Sequence, residues 1–226
     1  MFHLNFLRRC YGKRIYLFFV LILLDIVTTF YSGGIDHLLT RHMFISYDLV
    51  SGFANVLFWI ILFVPEAVDI SQERSSFGVS IFCRITRTQY LIMKIKALFL
   101  YCASFFSISM IISLAVGATS GYKMGSVISI TREYIILVLL SYALLMLVNL
   151  MGWIFNSSYA MAVIYAVLIA VIQIPNLQEY FSIMILVETF PWSVWALTIC
   201  SALNILLVLL AIKHKDFIGM KKGMSI

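Results

Sequence analysis

Charge is what this sequence has least of. Only 12% of its 226 residues are Asp, Glu, Lys or Arg, where an ordinary soluble domain carries roughly 25%. Hydrophobic residues make up 63% and the mean hydropathy is +1.03, more apolar surface than a water-soluble core of this size can hide. Paired cysteines are missing too. Cys10, Cys83, Cys102 and Cys200 are scattered without a CxxC pair, so neither a disulfide framework nor a zinc site is suggested. The only Gly-Lys, Gly12-Lys13, is followed by Arg14 and lacks the upstream glycine of a phosphate-cradling loop, so the chain cannot itself be an ATPase. Neither GxSxG nor HExxH occurs, and no nucleophile, acid and base fall at a workable spacing, so no enzymatic activity is expected. His3 and His214 lie near the ends, and His37 and His42 stand five residues apart beside Asp36 and Asp48. That spacing is poor for one helical face, and no metal site is expected.

What the sequence has instead is long apolar runs. They cover Ile15 to Tyr31, Leu49 to Val68, Ala97 to Val116, Tyr134 to Phe155, Tyr159 to Ile174 and Val194 to Ile212, each close to the roughly 20 residues needed to cross about 30 Å of hydrocarbon. Helices are the natural form, since lipid leaves each backbone group to be satisfied within its own segment. The first run follows Arg8, Arg9, Lys13 and Arg14, but no small-x-small cleavage site appears before Tyr31, so it is read as a retained span. Asn156, Ser157 and Ser158 separate the fourth and fifth runs as a polar turn between antiparallel helices. The expectation is an all-α integral membrane chain forming a single transmembrane domain of six helices.

Orientation follows from the basic residues. Thirteen lie on one side: Arg8, Arg9, Lys13, Arg14, Arg74, Arg84, Arg87, Lys94, Lys96, Lys213, Lys215, Lys221 and Lys222; only Arg41, Lys123 and Arg132 lie on the other. This bias puts both termini in the cytoplasm. The net charge of +6 is then accounted for by segments that flank the membrane and meet anionic lipid head groups, and no nucleic-acid partner is expected.

The longest cytoplasmic stretch runs from Asp69 to Lys96, with Phe77, Ile81, Phe82 and Ile85 at spacings of three to four. That suits a short amphipathic helix along the membrane surface, offering a partner something to grip; a plain loop anchored by basic residues fits as well. Pro65 and Glu66, at the end of the second run, read either as a hinge to that stretch or as an ordinary helix end. On the outer side, Pro175 to Trp192 holds an apolar stretch too short to span, a re-entrant or interfacial excursion, with Trp192 and Trp195 at the aromatic-belt level. Within the runs, Asp25 is read first as structurally satisfied and second as part of transport chemistry. Asn55, Asn149 and Asn204 are read as helix–helix glue.

A basic N-terminus, two spans, a cytoplasmic Glu-Arg followed by Gly, Arg, Tyr and Lys, four further spans with a broken outer segment before the last, and a basic tail make up this layout. In that order the chain resembles the membrane subunit of an ABC type-2 permease, over nearly its whole length. The matching residues are Glu73, Arg74, Gly78, Arg84, Arg87, Tyr90 and Lys94. The resemblance implies that they belong to a coupling helix docking into a separate ATP-binding subunit, present in two copies and carrying the ATP and magnesium. It also implies a second membrane subunit, identical or paralogous. Small permeases of this kind are similar to the membrane parts of Gram-positive lantibiotic-immunity, bacitracin-resistance and toxic-peptide exporters, which implies a bacterial cell membrane and an amphipathic peptide or lipid-like substrate. Phe53, Phe58 and Trp59 are the candidates to line its path. The alternative is a membrane immunity, binding or scaffold protein that transports nothing.

Overall fold

The computed structural model describes residues 86–120, 127–155 and 188–214, together with 16, 19, 20, 23, 65, 66, 69 and 70. Its elements are helices: α1 (Arg87–Ser120), α2 (Val127–Ile154) and α3 (Phe190–His214). Tyr16, Phe19, Val20 and Leu23 are also helical, as are Pro65, Glu66, Asp69 and Ile70. Among the described residues three stretches are long and apolar enough to cross a membrane, Thr88–Ile108, Thr131–Ile154 and Phe190–Ile212, with 21, 24 and 23 residues. The third, fourth and sixth apolar runs lie on these helices. The first and second runs lie mostly, and the fifth wholly, outside the described residues.

α1 starts well before its apolar run, and a local device explains the early start. The Gln89 amide donates to Thr86 Oγ1 at 3.2 Å while the Thr86 amide donates to Gln89 Oε1 at 3.2 Å. This reciprocal capping box satisfies two of the donors that a helix N-terminus leaves over. α3 likewise begins ahead of Val194, with Pro191 in its first turn, where a missing N–H costs nothing. The Ser193 amide donates to the Thr189 carbonyl at 3.0 Å, and the two hydroxyls lie 3.0 Å apart.

α1 and α2 pack antiparallel. Ser107 meets the Tyr134 hydroxyl at 2.8 Å, and Tyr134 donates to the Ala103 carbonyl at 3.3 Å. Further along, Phe99 meets Tyr142 edge to face at 5.5 Å, so contacts move toward the C-terminus of α2 as they move toward the N-terminus of α1. α3 runs parallel to α2. The Arg132 guanidinium sits 5.6 Å from the Phe190 ring near the start of both helices, and Asn204 donates to the Ala143 carbonyl at 3.5 Å about midway.

The core lies between α1 and α2 and is built from Tyr90, Leu98, Phe105, Leu137, Leu145 and Trp153 among others, with Val208 and Ile212 of α3 closing one side. α2 is the most enclosed of the three helices and α3 the least. α3 buries Ser193, Ser201, Asn204, Val208 and Ile212 and exposes Trp192, Trp195, Ile199, Leu203, Leu206 and Leu210. Two of its hydroxyls turn inward on their own helix, Thr198 to the Val194 carbonyl at 2.7 Å and Ser201 to the Leu197 carbonyl at 2.8 Å. Neither needs water for its proton, and apart from Thr198 the exposed face of α3 is apolar, as a helix set against lipid would require.

Candidate functional site

One cluster of charged and polar side chains is buried where three helical segments meet. Lys94 projects from α1 and Glu66 from the helical residues Pro65, Glu66, Asp69 and Ile70, and the Lys94 ammonium lies 2.9 Å from Glu66 Oε1. Asn149 of α2 donates to the same carboxylate oxygen at 2.8 Å and to the Leu145 carbonyl of its own helix at 3.0 Å. One turn before Lys94, the Tyr90 hydroxyl accepts from the ammonium at 3.4 Å, and the ammonium stands 5.8 Å from the centroid of the Tyr90 ring. Glu66 and Tyr90 are 0% exposed, Asn149 2% and Lys94 6%. At that depth the pair is shielded from water and salt, so its geometry decides its worth.

The local sequence explains why the groups meet. Tyr90 and Lys94 are four residues apart, hence on one face of α1. On α2, Leu145, Asn149 and Trp153 follow the same spacing and are all buried. The neighbouring segment is brought close by a glycine. A Cβ placed on Gly152 would stand 2.8 Å from Ile70 Cγ2 and 3.0 Å from Ile70 Cδ1, so the absent side chain is what lets Ile70 lie against α2. Small residues commonly permit such close approach between membrane helices. The remaining polar atom of the amide, Asn149 Oδ1, is buried and has no hydrogen-bond partner among the described residues.

Of the residues expected to couple to an ATPase, Tyr90 and Lys94 lie in this cluster, on the first turns of α1. Arg87 is the first residue of α1. Glu73, Arg74, Gly78 and Arg84 lie outside the described residues, as do Phe53, Phe58, Trp59, Asp25, Asn55 and 175–187. Of the expected hinge, Pro65 is half-buried and Glu66 is the fully buried acid of the cluster.

No protein-family model, no curated protein and no solved structure matches this chain. Its chemistry is therefore read from its own residues. Among the described residues no group of three or more His, Cys, Asp or Glu side chains gathers to hold a metal ion. Among the described residues the cluster brings together one acid, one base, a tyrosine hydroxyl and an amide whose two donor hydrogens are engaged. Such a set binds helix to helix.

Asn149 entered the cluster without a sequence signal beyond its being a polar residue in an apolar run. Asn149 and Asn204 both reach beyond their own helix, to Glu66 and to the Ala143 carbonyl.

Proposed function

We propose that this chain is a multi-pass protein of the bacterial cell membrane, with both termini cytoplasmic, and that it is the transmembrane subunit of an ATP-driven ABC type-2 exporter. Two copies of a separate ATP-binding subunit, with ATP and magnesium, supply the energy. The pore forms with a second membrane subunit, identical or paralogous. The cargo is an amphipathic peptide or lipid-like compound, met by apolar and aromatic side chains such as Phe53, Phe58 and Trp59.

The observation that carries this reading is the direction of the helices. α1 and α2 run antiparallel, and α2 and α3 run parallel. If α2 and α3 both cross from outside to inside, an odd number of crossings must separate them. The apolar run Tyr159 to Ile174 supplies one of about the right length. The result is the permease layout of four spans after the cytoplasmic segment, ending on the basic C-terminal tail. The cluster also fits, since Glu66, Lys94 and Asn149 lie at the three span ends that the charge bias assigns to the cytoplasm.

In this reading ATP-driven closure of the partner pushes on the segment around Ser76 to Arg87, and the spans tilt from an inward-open to an outward-open path. The test is the double variant Arg84→Glu with Arg87→Glu in the purified complex. Membrane insertion should be unchanged and substrate-stimulated ATP hydrolysis lost; hydrolysis that stays coupled would remove the role given to that segment. A chain that purifies without any ATPase would favour a membrane immunity, binding or scaffold protein.

A further inference from the structure

The Glu66–Lys94 pair joins two points that flank the cytoplasmic segment on either side. Glu66 precedes it at the end of the second apolar run, and Lys94 follows it two turns into α1. Asn149 ties the same carboxylate oxygen to α2 at 2.8 Å, and Ile70 sits against Gly152 one turn further along each helix. We infer that this buried ion pair is a clamp closing the base of the 71–86 segment, so that a load applied to the segment reaches three helices as one body instead of prising its two feet apart. The proposal deepens the exporter reading and rests on it for the source of the load.

The physical case is that of an unusual expense. A buried acid and base could be replaced by apolar side chains of similar volume with little loss of stability, so stability alone does not call for an ion pair here. What the pair adds is direction and register: the ammonium and the amide converge on one carboxylate oxygen, so the placements of the three backbones are tied to one another through that atom. Apolar contacts such as Ile70 on Gly152 can slide; converging charge-assisted hydrogen bonds resist sliding. Glu66, Lys94 and Asn149 are therefore positioning residues, which act on transport through the helices that they hold.

The experiment uses the full chain in lipid nanodiscs, with whatever ATPase co-purifies, and compares wild type with the double variant E66Q/K94M. Removing both charges together strands neither member of the pair, so this variant is expected to fold where a single neutralisation leaves a buried charge uncompensated. Hydrogen exchange is read by peptide before and after trapping with Mg-ATP and vanadate. Without nucleotide, the variant should exchange about tenfold faster over the two feet, 65–70 and 88–95, and over 145–150, and unchanged over 198–210, the signature of a locally loosened joint. On trapping, the change that reaches 145–150 in wild type should be absent from the variant. Unaltered exchange at both feet would overturn the clamp. Faster exchange at the feet with a trapping response still reaching 145–150 would overturn the role in passing the load to α2. If no ATPase accompanies wild type while the feet still loosen in the variant, the joint stands and it is the export reading, with its load, that falls.

Discussion

Lys94 holds Glu66 at 2.9 Å with neither side chain open to solvent, in a chain where charged residues are only 12% of the total. A buried pair of this kind is asymmetric in its energetics: loss of one partner strands the other charge, at about 3–5 kcal/mol, whereas loss of both is close to neutral. Lys94→Met alone should lower the thermal unfolding temperature in detergent sharply, and adding Glu66→Gln should recover most of that loss. Equal losses in the single and double variants would contradict a coupled pair.

Gly152 and Ile70 make a second prediction. An alanine at 152 meets the Cγ2 and Cδ1 ends of Ile70 at 2.8 and 3.0 Å and its Cβ at 3.3 Å, a conflict that a rotation of the isoleucine can partly relieve. Gly152→Leu has no such outlet and should cost about 1–3 kcal/mol as an overpacked contact. Ile70→Ala should offset part of it. A double-variant cycle on unfolding measures the coupling, and additive effects would show that the two residues do not touch.

At the other end of the α1–α2 pair, the Tyr134 hydroxyl bridges Ser107 and the Ala103 carbonyl. Tyr134→Phe keeps the ring and loses both bonds, so stability should fall by about 1 kcal/mol, roughly twice the ~0.6 kcal/mol average for one bond between membrane helices. Ser107→Ala should cost less, because the bond to Ala103 survives. The reverse order would argue against the bridge.

The three long helices were legible in the apolar runs from Ala97, Tyr134 and Val194, because uninterrupted hydrophobicity is the strongest signal a sequence carries. The true start of α1 was less visible. Lys94 and Lys96 look like the edge of a span, yet Lys94 is neutralised by a partner 28 positions upstream, which no local pattern announces. The available signal was Thr86-Arg87-Thr88-Gln89, a capping-box sequence that the structure closes in both directions at 3.2 Å. Tyr90 and Lys94 are coupling-helix residues by the resemblance; in the structure they lie buried in α1, with the Lys94 ammonium on Tyr90 and Glu66. Pairing between Glu66 and Asn149 joins residues 83 positions apart, and such long-range contacts are set by how helices pack and not by any spacing along the chain.

Helix direction can be tested without knowing the cargo. In a variant whose four cysteines are replaced by alanine, single cysteines at Arg132 and Glu188, both exposed near the starts of α2 and α3, should react with a membrane-impermeant thiol reagent added outside intact cells. One at Phe155, exposed at the far end of α2, should react only after permeabilisation. Labelling of Arg132 and Glu188 from opposite sides would break the parallel arrangement of α2 and α3 within the membrane.

The most direct test of the central claim is purification of this chain in mild detergent, with mass spectrometry of what co-elutes and an assay of ATP hydrolysis. The exporter account predicts a stoichiometric ATP-binding protein and vanadate-sensitive hydrolysis. A chain that emerges alone and without hydrolysis, under conditions that keep other membrane complexes whole, would contradict it.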